Sequence, residues 1–421
     1  MSKERIISGI DIGSSKVVTI IGQVSEENGI SIIGVSSVPS KGIKKGVVVD
    51  IDAAVDAISE SLVGAERMAG YTVPSVYVTV DGTHVSSVNS PGVVAVSSPD
   101  GEITQSDVSR VIEAARAISI PSSREIIHVI PRSFNVDSQE GVQDPVGMSG
   151  VRLQVETHII SGSATSMRNL VKCVQQVGLD VEDLVFGGLA AADAVLTDTE
   201  RELGVVLVDI GGGTTSLVVF TEGSPVYSSV LPIGGKNITN DIAIGLRVSL
   251  EEAEAVKTYV SNLKEPARPE SKQKAKNDDE DLDVSSLNIA SLSSVDKKYL
   301  VEGIIKPRLE EIFELLREEL KKSGFGDSLP SGLVVCGGGA STVGVEEVVK
   351  KVIRCPVRIG QPQGVSGLIE EVSTPAFAAT IGTVIFASNR LPARKIPLVD
   401  KLPKIKDYWN KAVGWAKGFL P

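Results

Sequence analysis

Apolar runs separated by glycine turns recur along this chain and predict an α/β fold. Residues 204–220 contain an apolar run, then Asp209 and three consecutive glycines, then a second apolar run. Val, Leu and Ile on both sides of a glycine turn are typical of a β-hairpin. Residues 7–22 repeat this pattern, with Asp11 before the turn. Aligning the two aspartates also aligns the first glycine of each turn. This favours an internal duplication into two related α/β domains over two unrelated hairpins.

Each hairpin turn is suited to hold a phosphate group. Glycines leave the backbone N–H groups uncovered and permit a tight turn, so the main chain can donate hydrogen bonds to an anion. Asp11 and Asp209 end the first strand of their hairpins, where a carboxylate can face Mg²⁺, usually through water. A third glycine run, residues 337–339, lies between an apolar strand and a predicted helix. Bare backbone at that place can contact a flat, polar ligand.

The segments between the hairpins predict helices and one insertion. Residues 51–69 have the apolar spacing of an amphipathic helix, and residues 295–323 predict a longer one that Pro307 could bend. Small residues dominate 187–196, which we interpret either as a closely packed connector between domains or as an ordinary core helix. Residues 374–387 predict a second small-residue helix, which would return the chain to the first domain.

The region that follows the strand ending near residue 80 has a different character, and we interpret it as an inserted β/α subdomain. It begins with a segment that resembles a pair of strands, residues 85–98, and continues with a capped helix and further strands. It contains no acid–base pair, metal cluster or glycine turn of the phosphate-binding kind. We therefore expect this subdomain to bind another protein rather than to carry out chemistry.

Composition and charge restrict the classes of function. The formal net charge is −11, which argues against a general nucleic-acid binder. Three cysteines and three histidines are spread along the chain without metal-ligand spacing. The first apolar strand begins within a few residues of the N-terminus, which leaves no room for a signal peptide, and no apolar run reaches the ~18 residues of a membrane span. We expect the body of the protein to be cytosolic. Residues 264–294 are polar and charged, and we expect a mobile surface loop there.

The C-terminal residues 404–421 predict an amphipathic helix that lies in a membrane interface. Both tryptophans of the chain are here, and the segment from Arg390 onward has eight basic and two acidic side chains. Aromatic and aliphatic residues fall on one face and lysines on the other, a pattern typical of interfacial helices. The residues expected to contact lipid are Ile405, Tyr408, Trp409, Lys411, Ala412, Trp415, Lys417, Phe419 and Leu420. The alternative is a helix docked on the body, but three prolines between residues 392 and 403 favour an extended tether.

These motifs, in this order, resemble the actin-like ATPases over nearly the whole chain. The inserted subdomain and the C-terminal helix narrow the resemblance to the FtsA family of bacterial cell-division proteins, to which LAAADAVL, ERELGVVLVDIGGGTT and GGKNITNDIA are also similar. The implied fold is an α/β, actin-like two-domain ATPase fold with a nucleotide cleft, an inserted β/α subdomain in the first half and a C-terminal amphipathic helix. In the family's terms, the predicted parts are subdomain 1A (1–84 and 163–200), inserted subdomain 1C (85–162), 2A (201–235 and 331–373), 2B (236–330), a return helix to 1A (374–389), a linker (390–403) and the membrane-targeting helix (404–421).

The resemblance also implies a binding site for ATP and Mg²⁺. By position, its residues are Asp11, Gly13, Ser14, Ser15, Lys16, Asp209, Gly211, Gly212, Gly213, Thr214, Thr215, Asn237, Glu254, Lys257, Gly337, Gly338, Gly339, Ala340 and Ser341. Asp11 and Asp209 would flank Mg²⁺ through water. Many actin-like ATPases carry a Gln or Glu in or near the first connecting helix to orient the attacking water. Here that helix offers only Asp193, so we expect slow hydrolysis, with ATP acting mainly as a conformational ligand.

The implied function is to link the division machinery to the membrane. The expected partners are the C-terminal peptide of FtsZ, other divisome proteins through the inserted subdomain, further copies of the chain in a polymer, and anionic lipids, but no nucleic acid. The expected location is the cytoplasmic side of the inner membrane at the division site, as a peripheral protein. Two alternatives remain: a sugar or acetate kinase of the same superfamily, which would not need the C-terminal helix, and a pilus-assembly relative, which usually lacks one.

Overall fold

The computed structural model describes residues 5–25, 29–118, 120–263, 281–289, 292–325 and 329–390. The predicted membrane-targeting helix, the linker beyond residue 390 and residues 264–280 of the predicted loop lie outside this range. None of the described helices is both long and apolar enough to cross a membrane.

The strands are β1 (Arg5–Ile12), β2 (Lys16–Ser25), β3 (Gly29–Pro39), β4 (Ile43–Lys44), β5 (Val47–Val48), β6 (Ser75–Val80), β7 (Ser86–Ala95), β8 (Arg124–Val136), β9 (Gln139–Val142), β10 (Arg152–Ser163), β11 (Asp180–Phe186), β12 (Val205–Ile210), β13 (Thr215–Thr221), β14 (Ser224–Leu231), β15 (Asp281–Asp283), β16 (Ser294–Asp296), β17 (Leu333–Cys336), β18 (Val357–Ile359) and β19 (Val365–Gly367). The α-helices are α1 (Ile51–Ala69), α2 (Gln105–Arg116), α3 (Ala164–Gln176), α4 (Gly187–Val195), α5 (Asp198–Leu203), α6 (Gly235–Leu246), α7 (Leu250–Asn262), α8 (Lys306–Ser323), α9 (Val345–Val352), α10 (Ile369–Val372) and α11 (Ala378–Arg390). Short 3₁₀ turns cover Ser285–Leu287, Gly338–Ser341 and Pro375–Phe377, and a π-helical segment covers Tyr299–Ile305.

Two sheets repeat the same topology. The first has the order β11-β6-β1-β2-β3-β19, and the second has the order β14-β13-β12-β17-β18. In each sheet, a central strand is antiparallel to the next strand of its hairpin and parallel to a strand from later in the chain. In the first sheet β1 pairs with β2 and β6, and in the second β12 pairs in the same way with β13 and β17. This is the arrangement that the internal duplication predicts. We call residues 5–84, 163–203 and 361–390 lobe 1, and residues 204–360 lobe 2.

The central strands are apolar on both faces because each sheet is covered on both sides. In β12, every residue except Asp209 is fully buried. On lobe 2, α8 contributes Phe313 and Leu316 to the same core as β12. On lobe 1, α1 begins at the side chain of Asp50, which accepts a hydrogen bond from Ala53 N–H, and ends at the left-handed Gly70. The bounds predicted for this helix from its apolar spacing are confirmed.

The first of the two small-residue helices packs between the lobes. Helix α4 contacts strands of both sheets, and a Cβ on Gly188 would lie 3.0 Å from Val218 Cγ2 of lobe 2. Helix α11 crosses α4 so closely that a Cβ on Gly382 would lie 1.6 Å from the carbonyl oxygen of Ala190. Only glycine permits this approach. For residues 187–196 the structure therefore supports a closely packed connector, and α11 packs against it within lobe 1.

The inserted subdomain forms a separate sheet, β7-β10-β8-β9, with α2 packed on it. The pair of strands expected in residues 85–98 is wrong, because β7 is one continuous strand. Its Pro91 lies opposite Glu156 of β10. Since β7 is an edge strand, the absent N–H of proline can face away from the ladder. Gly92 allows α2 to approach the strand, because a Cβ there would lie 2.3 Å from the Val111 carbonyl oxygen.

The long helix predicted for residues 295–323 is confirmed from residue 297 onward, but its first third is not a regular α-helix. Residues up to Asp296 belong to β16. Residues 297–298 are helical and lead into the π-helical segment, which continues directly into α8 at Lys306. The Lys306 N–H donates to the carbonyl of Val301, five residues earlier. Pro307 occupies the first turn of α8, directly after the π-helical segment. Pro307 therefore stands where the helix changes from π to α geometry, and the bend expected there stays a prediction.

Candidate functional site

A cavity of about 230 Å³ lies where the two predicted hairpin turns meet. The predicted nucleotide-binding residues that line it are Asp11, Gly13, Ser14, Ser15, Lys16, Asp209, Gly211, Gly212, Thr214, Glu254, Lys257, Gly337, Gly338 and Gly339. They come from both lobes and from three separate glycine-containing turns. The duplicated topology thus brings together residues more than 300 positions apart in the chain.

The two hairpin turns have the same internal hydrogen bond. Gly13 N–H donates to the Lys16 carbonyl at 3.1 Å, and Gly211 N–H donates to the Thr214 carbonyl at 2.9 Å. The turns lie against each other, since a Cβ on Gly212 would approach Ser15 Cβ to 2.6 Å. Only glycine at this position allows both turns to border one cavity.

The first residues of α6 form hydrogen bonds to the turn at residues 211–213. The N–H groups of Gly235 and Lys236 donate to the carbonyls of Gly211 and Gly212 at 2.9 and 2.8 Å. These carbonyls are therefore occupied by the helix start.

Two buried carboxylates and one lysine lie beside the turns. Asp11 ends β1 and accepts a hydrogen bond of 2.6 Å from Thr79 Oγ1. Burial raises the pKa of Asp11 above its ordinary value. Burial, with a smaller contribution from the Asp11 carboxylate, raises the pKa of Asp209 to about 7, and Lys16 opposes this only in part. Burial lowers the pKa of Lys16, against the attraction of both carboxylates. Beside the two carboxylates, the charge of Lys16 therefore offsets their burial and mutual repulsion only in part.

The two buried carboxylates fit a divalent cation held through water. Within the described ranges, no three His, Cys, Asp or Glu side chains are grouped closely enough to hold a metal ion directly. Two buried carboxylates with raised pKa values would nevertheless both be ionised at neutral pH if a hydrated Mg²⁺ stood between them and a phosphate. The residues present are compatible with Mg²⁺ in this indirect form.

The other side of the cavity is flat and partly polar. Lys257 Nζ donates to Glu254 Oε2 at 2.7 Å and to Thr239 Oγ1 at 2.9 Å. The Gly337–Gly339 backbone lies opposite, and a Cβ on Gly339 would lie 2.3 Å from Ile210 Cγ2. An uncharged ring system could lie against this bare backbone, with Lys257 and Glu254 at its edge.

Five predicted residues do not line the cavity: Gly213, Thr215, Asn237, Ala340 and Ser341. Three of them, Asn237, Thr215 and Gly213, support its walls. Asn237 Oδ1 accepts the Gly234 N–H at 3.1 Å, and Thr215 Oγ1 donates to the Ile233 carbonyl at 2.8 Å. Gly213 packs against the first turn, because a Cβ there would approach the Ser14 side chain to 3.0 Å.

Several lining residues were not predicted: Ile12, Gly46, Asp81, Ser216, Gly235, Lys236, Ala376 and Ala379. Lys236 Nζ of lobe 2 donates to the Ser14 carbonyl of lobe 1 at 2.7 Å. Asp81 Oδ1 accepts a hydrogen bond of 2.9 Å from Ser216 Oγ, also across the lobes. Burial raises the pKa of Asp81 well above its ordinary value, and the other two carboxylates add to the effect. Asp81 directly follows the apolar strand β6, just as Asp11 and Asp209 lie at the ends of apolar strands. This third aspartate at the end of an apolar strand was the sequence signal that could have identified it.

The carboxylate on α4 is positioned for a different purpose. Asp193 forms an ion pair with Arg201 at 2.9 Å and is not among the lining residues. It therefore has a partner of its own, outside the cavity.

The duplicated α/β lobes around one cleft define the class of actin-like ATPase folds, and solved structures agree. The chain is similar to a PilM–PilN type IV pilus biogenesis complex (TM-score 0.61, 18% identity, 90% of this chain and 98% of that chain). It is also similar to MreB5 of Spiroplasma citri bound to ADP (TM-score 0.51, 15% identity, 91% and 97%). At these identities the likeness shows the fold alone.

Sequence comparison identifies the family. The model of the SHS2 domain inserted in FtsA matches residues 82–161, and the model of cell division protein FtsA matches residues 206–382. The chain is 38% identical to FtsA of Pseudomonas aeruginosa over 387 residues, covering 92% of this chain and 90% of the relative. It is 38% identical to FtsA of Borreliella burgdorferi over 416 residues (99% and 98%), and 35% identical to FtsA of Escherichia coli K12 over 392 residues (91% and 91%). The chain belongs to the FtsA family of cell division proteins. Of the three interpretations of the sequence, namely an FtsA-family protein, a sugar or acetate kinase and a pilus-assembly relative, the first is confirmed.

Proposed function

We propose that this FtsA-family protein binds MgATP in the cavity between its lobes and uses it as a conformational and assembly ligand. The observation that carries the proposal is the convergence of two glycine turns, two buried carboxylates and a bare-backbone wall on one cavity. Polyphosphate needs main-chain donors and a cation, and these turns and carboxylates offer both.

The arrangement also suggests which end of the nucleotide lies where. Gly235, Lys257 and Gly339 lie together, within 4 Å of a Cβ built on Gly235. Ser14, Gly46 and Asp81 lie together at the hairpin turns, where Gly46 N–H donates to Ser14 Oγ at 2.9 Å. We assign the nucleoside to the first group and the terminal phosphates to the second.

The proposed cellular role is to tether the FtsZ ring to the inner face of the cytoplasmic membrane. Membership of the FtsA family supports a role in division, and the amphipathic pattern of residues 404–421 supports a peripheral membrane contact. One such helix binds weakly, so polymerisation of the chain would raise avidity by linking many helices. The inserted subdomain would recruit further division proteins. These partners are proposed from the family and from the sequence of the C-terminal segment.

The test of MgATP binding is direct titration of the full chain by calorimetry. We expect binding of ATP with Mg²⁺, weaker binding without the cation, and a loss of affinity in Asp11→Asn. The variant Asp144→Asn, in an exposed turn of the inserted subdomain, serves as the matched control. Equal affinity with and without Mg²⁺ in all three proteins would refute the assignment of the carboxylates.

The test of the membrane role is co-sedimentation with vesicles of anionic lipid, with and without MgATP. The full chain is compared with a chain that ends at Pro403. We expect only the full chain to pellet, and more of it with MgATP. If both chains remain in solution under every condition, the membrane role is wrong, whatever the calorimetry gives.

A further inference from the structure

We propose that Asp81 is the catalytic carboxylate that orients the water attacking the terminal phosphate of ATP. The inference rests on the proposed binding of MgATP. From the sequence alone we expect slow hydrolysis because α4 offers only Asp193. Asp81 replaces that expectation with a carboxylate from another part of the chain.

Sheet topology brings Asp81 to the cavity. It follows β6, which runs parallel to β1 on one side and to β11 on the other. The carboxyl ends of parallel strands meet at one edge of a sheet, so Asp81 lies beside Asp11 and beside the start of α4. Asp81 Oδ2 occupies the place where a side chain on Gly187 would begin, 2.1 Å from a Cβ built there. The carboxylate thus stands at the start of the connecting helix although it comes from another part of the chain.

The repeat of the two lobes shows that Asp81 differs in kind from Asp11 and Asp209. Those two occupy equivalent positions at the ends of β1 and β12. The registers of β1 with β6 and of β12 with β17 place Asp81 in correspondence with Gly338 of lobe 2. Where lobe 2 has bare backbone, lobe 1 has a carboxylate. Asp81 is therefore an addition to the symmetric pair that fits the cation.

The contacts of Asp81 leave one oxygen available. Oδ1 accepts the Ser216 hydroxyl at 2.9 Å, and Ser216 stands opposite Asp209 in the β12–β13 pair. Within the described part of the chain, no Lys, Arg or His forms an ion pair with Asp81. The structure records no hydrogen bond to Oδ2 from a described residue. Ser216 is a positioning residue: its hydroxyl holds Oδ1 of a carboxylate that lines the cavity, while Oδ2 lies over Gly187 at the start of α4.

The step that Asp81 would assist is in-line hydrolysis. Asp81 accepts a hydrogen bond from the attacking water, whose oxygen forms a bond to the γ-phosphorus. The bond from that phosphorus to the bridging oxygen breaks, and its electron pair remains on ADP. The protons of the water end on inorganic phosphate and in solvent. Asp81 contributes orientation, which is a large part of catalysis in phosphoryl transfer.

The experiment compares wild type with Asp81→Asn under single-turnover conditions, with the full chain in excess over radiolabelled ATP and with Mg²⁺ present. Asparagine keeps the shape and can still accept from Ser216, so the fold should persist. We expect hydrolysis to fall about 10²-fold or more. Ser216→Ala should lower the rate less. Asp193→Asn removes the carboxylate that α4 itself carries, and it should leave the rate unchanged.

Ligand affinity provides the readout that does not depend on turnover. We expect Asp81→Asn to bind MgADP as tightly as wild type, but to lose affinity for ADP with aluminium fluoride by a factor similar to the loss of rate, because that complex mimics the transition state. Unchanged hydrolysis in Asp81→Asn overturns the inference. So does a parallel loss of MgADP affinity, which would make Asp81 a partner of the cation. If wild type binds neither nucleotide, the proposed function itself fails, and the inference fails with it.

Discussion

His158 of the inserted subdomain lies with its Nε2 2.9 Å from Ser228 Oγ of lobe 2, and both side chains are buried. The other ring nitrogen, Nδ1, lies 2.7 Å from Asn89 Oδ1, whose amide donates to the Val226 carbonyl at 3.0 Å. Since Asn89 Oδ1 can only accept, Nδ1 has the proton and Nε2 accepts from the serine hydroxyl. Side chains of the subdomain thus bond to β14, the edge strand of the second sheet.

This contact joins parts of the protein that the chain does not connect directly. The inserted subdomain leaves and re-enters lobe 1, yet Ser87 of β7 exchanges two hydrogen bonds with the backbone of Ser228, both of 2.9 Å. Any change in the angle between the lobes must therefore carry the subdomain along or break these bonds. The subdomain is coupled by them to the cavity between the lobes.

Removing the serine hydroxyl should destabilise the fold. In Ser228→Ala, the buried Nε2 of His158 loses its donor, and a buried unsatisfied acceptor costs about 1–3 kcal/mol. Urea unfolding should show this loss as a lower midpoint at unchanged slope. Ser224→Ala, on the same strand, is the control, because its hydroxyl lies 3.5 Å from the Arg132 carbonyl and contributes little. Equal midpoints for both variants would contradict the role given to the His158–Ser228 bond.

His158 also predicts the sign of a pH effect on stability. Burial lowers its pKa to about 3, with a smaller contribution from Arg132. The unfolded chain takes up this proton near pH 6.5 and the folded chain does not, so stability is complete above pH 6.5 and falls as the pH is lowered toward 3. The expected slope approaches about 1.4 kcal/mol per pH unit below pH 6.

The pH effect is measured as the free energy of unfolding between pH 7 and pH 5. Because Asp209, with a pKa of about 7, also titrates in this window, the effect of His158 is taken as the difference between wild type and a variant that lacks the imidazole. His158→Gln keeps hydrogen-bonding atoms but cannot titrate, so its curve should be flatter than that of wild type in this window. Parallel curves for the two proteins would show that His158 becomes protonated within the folded state.

The sequence predicted those parts of the cavity that depend on local pattern. Each hairpin places its aspartate and its glycines within a few residues of one another, so Asp11 and Asp209 could be identified without knowledge of the sheet. Thr215 and Asn237 belong to the same motifs, but which way their side chains face is set by the Ile233 carbonyl and the Gly234 N–H. The motif therefore locates these residues without fixing their contacts.

What the sequence did not predict depends on pairing between distant strands. Asp81 reaches the cavity only because β6 pairs with β1, about 70 positions earlier, and Ser216 approaches it from the other lobe. A single Asp-Gly after an apolar strand also reads as an ordinary turn. The bond between His158 and Ser228 joins positions 70 apart. Such contacts follow from topology, which the local pattern of residues does not specify.

The glycine turn at residues 337–339 allows two adjacent glycines to be compared by substitution. A Cβ on Gly339 would lie 2.3 Å from Ile210 Cγ2 and 3.0 Å from the Ile210 carbonyl oxygen, whereas a Cβ on Gly338 would meet only Ala376 Cβ at 3.9 Å. Ile210 is fully buried and cannot move aside. Gly339→Ala should therefore cost about 1–3 kcal/mol of folding free energy, as overpacking does, and Gly338→Ala should cost much less.

Thermal unfolding of the nucleotide-free proteins measures this difference without any contribution from a ligand. The increase in melting temperature on addition of MgATP should rank the two variants in the opposite order, with the smaller increase in Gly338→Ala. Gly338→Ala places a methyl group on the cavity wall and should lose part of the stabilisation that MgATP gives to wild type. Equal melting temperatures for Gly339→Ala and Gly338→Ala without nucleotide would mean that the turn can shift away from Ile210. The close contact of the turn with β12 would then not be what holds that wall of the cavity in place.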